Sequence, residues 1–194
     1  MIVKDGVVIY DHNVTLGSEY STGKDFTDPT TRTDNATYFD VPVPQPFVGG
    51  WYAYDAINGF SLTANGLTGY KELLIKQLKN KASEVEFAGI LVNEKPVKTS
   101  FESQQYVSGM YNTVQLDVNK IIDFVYADST WESLDKTAVE TLAAAVSVHV
   151  EACFTQRKAL QIDIMAATDL DSIKTVEATI GTGWPETLEV EVGI

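Results

Sequence analysis

Leu142-Ala143-Ala144-Ala145-Val146-Ser147-Val148-His149-Val150-Glu151-Ala152-Cys153-Phe154 lies inside a run from Lys136 to Ala167 that contains neither glycine nor proline. Alanine is the strongest helix former and both helix breakers are missing, so the run predicts one long helix. The apolar residues Val139, Leu142, Val146, Val150, Cys153 or Phe154, Leu160 and Ile164 recur at steps of three and four. A stripe this broad suits a helix that covers a core and a neighbour together. Asp135 or Thr137 can cap its start, and Thr137 with Glu140 makes a capping-box pattern.

Before this run the chain alternates helices with short paired strands. From about Thr68 the residues Tyr70, Leu73, Leu74, Gln77, Leu78 and Ala82 set out a helical stripe. Phe87 to Val92, a turn at Asn93-Glu94-Lys95-Pro96, and Val97 to Thr99 read as a hairpin. Ser100 can cap a second helix over Phe101 to Val118. Ile121 to Tyr126 and Thr130 to Leu134 read as a strand pair about the turn Ala127-Asp128-Ser129. After the long run, Thr168-Asp169-Leu170-Asp171 opens a short helix ending near Ile180, stopped by Gly181-Thr182-Gly183-Trp184-Pro185. The tail Thr187 to Val192 alternates polar and apolar residues and suits an edge strand on another subunit.

Residues 1 to 66 have a different character. Short β-like runs (Val7 to Tyr10, Tyr38 to Val41, Trp51 to Tyr54) are separated by turn formers. Ser18 to Asn35 is nearly free of aliphatics and reads as an extended loop. In Val41-Pro42-Val43-Pro44-Gln45-Pro46 alternate prolines keep the chain extended and outside any central strand. The expected fold class is therefore α+β. A small β-rich N-terminal module, residues 1–66, precedes a helical domain, residues 67–194, with short hairpins and one long alanine-rich helix.

Composition narrows the function. The formal charge is −13, and the most nearly balanced section, residues 67–133, still holds 9 acids against 7 bases. Phosphate backbones are repelled by such a surface, so no nucleic-acid partner is expected. Mean hydropathy is −0.05, and no stretch approaches the ~20 consecutive apolar residues of a membrane span, so no membrane insertion is expected. Met1-Ile2-Val3-Lys4-Asp5-Gly6 does not read as a signal peptide. The expectation is a protein made in the cytoplasm.

No pattern of catalysis stands out. There is no Gly-x-Ser-x-Gly, phosphate-binding glycine loop or His-Glu-x-x-His. His149 among valines and alanines suits a packed core group better than a general base. His12, after Asp11, suits a turn. Cys153 on the apolar stripe suits an inert buried thiol. Asp169 and Asp171 begin a helix, where negative charge is stabilised. No catalytic residue, cofactor site or metal site is expected, and none of the acids marks a glycosidase pair. The residues expected to carry function are instead interface candidates. Tyr38, Phe39, Phe47, Trp51, Tyr52 and Tyr54 form either a small N-terminal core or an anchor into a neighbour. Leu142, Val146, Val150 and Phe154 line the long helix.

The order of parts from about Leu73 to Glu186 resembles a phage-tail domain family of unknown function, found at the C-terminal end of tail-fibre and other tail-appendage proteins. Its most specific segments here are Leu142 to Phe154, then Ala166-Ala167-Thr168-Asp169-Leu170, then Gly183-Trp184-Pro185. The hairpin departs from the family, with Gly89-Ile90-Leu91-Val92-Asn93 where a Gly-aromatic-x-Tyr pattern is commoner. The resemblance implies a virion location, in the tail, with no catalytic residues to transfer. The expected role is a structural component of a bacteriophage tail, a fibre or fibre-attachment or baseplate protein, acting through subunit assembly. Its partners would be other tail proteins and copies of itself, with a trimer favoured. The alternatives are a tail-fibre assembly chaperone and a receptor-binding tip that recognises a host surface glycan or protein.

Overall fold

The computed structural model of the chain describes residues 2–4, 7–10, 37–38, 45–46, 48, 50–55 and 58–187. In chain order the elements are β1 (Ile2–Lys4), β2 (Val7–Tyr10), β3 (Thr37–Tyr38), β4 (Tyr52–Asp55), β5 (Gly59–Leu62), α1 (Ala64–Phe87), β6 (Ile90–Val92), β7 (Lys95–Val97), α2 (Phe101–Leu116), β8 (Ile122–Val125), β9 (Trp131–Leu134), α3 (Lys136–Ala166) and α4 (Leu170–Thr179). The class is α+β, and every strand pair is antiparallel. The chain divides into two compact units, residues 1–74 with 164–177 and residues 75–163 with 178–194.

The first unit contains a five-stranded sheet in the order β3-β1-β2-β4-β5. Helix α1 begins at Ala64, earlier than the apolar stripe predicts. Thr63 caps it: its hydroxyl accepts from Gly66 N at 2.9 Å and donates to Gly50 O at 2.8 Å. Asn65, Gly66 and Gly69 obscure this first turn in sequence, because glycine is a poor helix former. Here both glycines are steric necessities. A Cβ on Gly66 would lie 1.9 Å from Trp51 O, and one on Gly69 would lie 2.5 Å from the indole Cζ2. At the other end of the unit, Asp169 caps α4 by accepting from Ser172 N at 2.8 Å, while Ser172 Oγ accepts from Asp169 N at 3.1 Å. That reciprocal pair explains Asp169, whose carboxyl the Ser172 backbone bond holds below the usual carboxylate range.

The second unit packs α2, α3 and the two hairpins around Ile90, Val97, Val107, Met110, Val114, Phe124, Leu134, Val139, Leu142 and Val146. Helix α1 ends at Phe87, so this residue is helical and the hairpin strand starts only at Ile90. Gly89, at φ +95°, turns the chain between them. The turn is fixed by Thr99, fully buried, whose hydroxyl donates to Glu86 O at 2.6 Å and accepts from Gly89 N at 2.9 Å. The β6–β7 turn is the two residues Asn93 and Glu94 alone, both at positive φ, 50° and 65°. Such a primed turn matches strand twist, and Lys95 and Pro96 then become strand residues. Ser100 caps α2 as expected, accepting from Ser103 N at 3.3 Å, and the helix stops at Leu116. Asp135, with its oxygen 2.9 Å from Ala138 N, caps α3. Glu140 turns outwards to Lys136 and Gln115 instead of closing a box with Thr137.

By length and composition alone, helix α3 is long and apolar enough to cross a membrane. Its apolarity comes from alanine and from apolar residues on two faces, and no uninterrupted apolar run is needed. The Ser18–Asn35 loop, the Val41–Pro44 segment and all but the first residue of the Thr187–Val192 tail lie outside the described residues.

Candidate interaction surfaces

Of the six N-terminal aromatic candidates, Phe39 and Phe47 lie outside the described residues, and Tyr38 is described only as backbone in β3. The other three belong to the first unit's own packing. Tyr52 is fully buried, and its hydroxyl donates to Pro46 O at 2.9 Å. Burial and the neighbouring Tyr70 push it up to about 12. Trp51 stacks on Tyr70 at 5.9 Å, and Tyr54 meets Phe60 at 4.9 Å. Around Tyr70 the polar groups close on one another. Its hydroxyl donates to Glu177 Oε2 at 2.9 Å, raising its pKa through burial and that carboxylate. Lys174 bonds Glu177 at 3.1 Å, contacts Gln45 O and sits 5.4 Å over the Tyr70 ring.

Of the four candidates on α3, Leu142 and Val146 are inside the second unit's core and are not available to another chain. The helical period places them on one stripe, and that stripe faces α2 and the hairpins. Val150 is half-buried, and Phe154 is 53% exposed. These two line an open groove of about 730 Å³ with Val107, Tyr111, Ala143 and Ser147. A second cleft, about 460 Å³, is bordered by Lys95, Tyr126, Glu132 and Asp135. Here Glu132 Oε2 accepts from Lys95 Nζ at 2.6 Å and from the Tyr126 hydroxyl at 2.7 Å. The two donors hold Glu132 below its ordinary range, while burial and that carboxylate push Tyr126 up to about 12.

His149 and Cys153 are the pairing of residue types that could serve as base and nucleophile. Their environment opposes that chemistry. Both are buried, with Cys153 Sγ 3.8 Å from His149 Nε2. The same nitrogen is 3.2 Å from Val85 O, which can only accept, so Nε2 carries the hydrogen. Burial, then Glu86, pushes the thiol up to about 11. The pair tethers helix α3 to helix α1, and Cys153 is a poor thiolate source. Among the described residues, no group of three or more His, Cys, Asp or Glu is placed to hold a metal ion.

What sequence reasoning missed is the apolar surface pointing away from the core. Trp131 is 71% exposed on the outer face of β9, beside its cross-strand partner Val125. On α3, Val148 is 67% and Ile162 57% exposed. For Val148 and Ile162 the signal was present, since they fall between the core positions of the same helical period.

The profile of DUF4376, a domain of unknown function, matches residues 69–179, more than half of the chain. The chain belongs to the DUF4376 family. No curated protein and no solved structure matches it. The DUF4376 region runs from within α1 to the last residue of α4, so it takes in both hairpins, the two clefts and all of α3.

Proposed function

We propose that this chain is a non-enzymatic structural component of a bacteriophage tail, a fibre or fibre-attachment protein, that works by assembling with copies of itself and with neighbouring tail proteins. The observation that carries this reading is the exposure of large apolar side chains on a strongly acidic protein. Trp131, Val148, Phe154 and Ile162 are each more than half exposed on a chain of formal charge −13. Net repulsion limits indiscriminate contact, while apolar patches of this kind mark surfaces that a partner covers. The resemblance of Leu142–Phe154 and the segments after it to tail-appendage proteins supplies the setting. The polar clusters support the same reading, because their members are spent on one another: Glu132 holds Lys95 and Tyr126.

Mass spectrometry of tail particles purified from the encoding phage tests the proposal. The expected result is this chain at a fixed stoichiometry. Its absence from mature particles, with presence in assembly intermediates, would make it a fibre-assembly chaperone. One observation favours a second reading, a receptor-binding tip: an indole as exposed as Trp131 suits stacking on a sugar ring. Block of phage adsorption by the isolated protein, lost in Trp131→Ala, would establish that role.

A further inference from the structure

The outward face of α3 carries a regular seam. Ala145, Val148, Ala152, Thr155, Ala159 and Ile162 follow one another at alternating steps of three and four. Ala145 and Ala152 are half-buried and the other four exposed. This 3-4 spacing keeps one line of side chains along a helix that supercoils with another. Every position is uncharged, and small alanine alternates strictly with a β-branched residue. Glu151 and Lys158, both exposed, flank the seam on the same side, seven residues apart.

We propose that α3 pairs with α3 of a second copy of this chain, antiparallel, about a two-fold axis that crosses the seam between Ala152 and Thr155. This pairing deepens the assembly reading and rests on it only in requiring that copies meet. Antiparallel alignment sets Ala145 against the partner's Ile162, Ala152 against the partner's Thr155, and Ala159 against the partner's Val148. Each layer joins a small residue to a branched one, so the two surfaces interlock along their length. The same alignment brings Glu151 to within about 3 Å, measured along the axis, of the level of the partner's Lys158, at ~1.5 Å per residue. Symmetry makes that charge pair twice. Flanking charges of this kind set the partner and orientation of paired helices. A parallel pair would instead stack alanine on alanine and Ile162 on its own copy, leaving gaps beside bulges. It would also place Glu151 and the partner's Lys158 on opposite flanks of the seam, where they cannot pair. A two-fold contact therefore replaces the threefold packing expected from the sequence.

Cysteine cross-linking of the full chain reads the orientation directly. Val148→Cys and Ala159→Cys are made as separate variants, and Cys153, buried with a thiol pushed up to about 11, stays silent. Mild oxidation of either variant alone is expected to give little covalent dimer. An equimolar mixture is expected to give at least tenfold more, joining position 148 to 159. Strong self-linking by either variant alone would mean parallel or threefold packing and would overturn the pairing. So would a wild-type monomer in sedimentation equilibrium at high micromolar concentration, whether free or floating with phosphatidylcholine vesicles. Because the substituted residues are exposed, Glu151→Lys and Lys158→Glu retain the fold and each weaken dimerisation several-fold, and the double variant restores it; no restoration would equally count against the antiparallel arrangement. A monomer at fixed stoichiometry in tail particles would sink the pairing and leave the tail role standing. A cross-linked dimer absent from particles would do the reverse.

Discussion

The two faces of helix α3 are built from similar residues and live in opposite environments. The inward face sets Val139, Leu142, Val146, Cys153 and Leu160 into the core, each no more than 5% exposed. The outward face carries Val148 and Ile162 at 67% and 57%. Both stripes are apolar and both follow the helical period. Periodicity therefore says that this segment is a helix and says nothing about which stripe its own chain covers. The excess stripe is what gives α3 the composition of a membrane span while part of it serves a core.

The largest expected effect tests the inward face. Leu142→Ala removes a fully packed side chain and should destabilise the chain by about 2–5 kcal/mol in urea unfolding, through lost burial and the cavity left behind. A loss under about 1 kcal/mol would mean that the core has been drawn on the wrong stripe. Thr99→Val should cost about 2 kcal/mol in the same measurement, since the backbone groups of Glu86 and Gly89 lose their buried partner. Val148→Ala, on the outward face, should leave monomer stability within about 0.5 kcal/mol. An effect as large as that of Leu142→Ala would erase the distinction between the faces.

The core beside α3 also carries a pH signature. Tyr126 has its folded value raised to about 12 from an unfolded value of 10.0. Its contribution to stability is complete below the unfolded value. The unfolded chain then loses the proton first, so stability falls as pH rises from about 10 to about 12. Tyr52 adds to the same window. Alkaline unfolding followed by circular dichroism should show this fall, and Tyr126→Phe should make it shallower. An unchanged slope would show that the Tyr126–Glu132 bond does not persist in solution. A modest gain is expected at Glu94, held at φ 65° in the β6–β7 turn. Glu94→Gly should raise stability by about 0.5–1 kcal/mol, because left-handed backbone costs L residues about 1–2 kcal/mol and glycine little.

Much of the helical architecture was legible in sequence for local reasons. Ser100 before α2, Asp169 before α4, and the absence of breakers across α3 act through bonds and sterics within a few residues. The missed first turn of α1 shows the opposite case. Gly66 and Gly69 argue against a helix until Trp51 is seen lying on them, and Trp51 arrives by tertiary contact. The same logic governed the interface candidates. Trp51, Tyr52, Leu142 and Val146 have the composition of binding residues and serve internal packing, whereas Trp131 and Ile162 drew no notice and stand exposed.

The amino-acid sequence by itself determined the α+β class, the hairpin and helix order behind residue 67, the caps of α2 and α4 and the surplus of acid. All of these follow from short-range propensity, periodicity and composition. Only the tertiary structure decided which apolar stripe of α3 is core and which is surface, and that Cys153 and His149 are sealed together away from solvent. Burial is a property of what packs against a residue from far along the chain, and no local pattern encodes that.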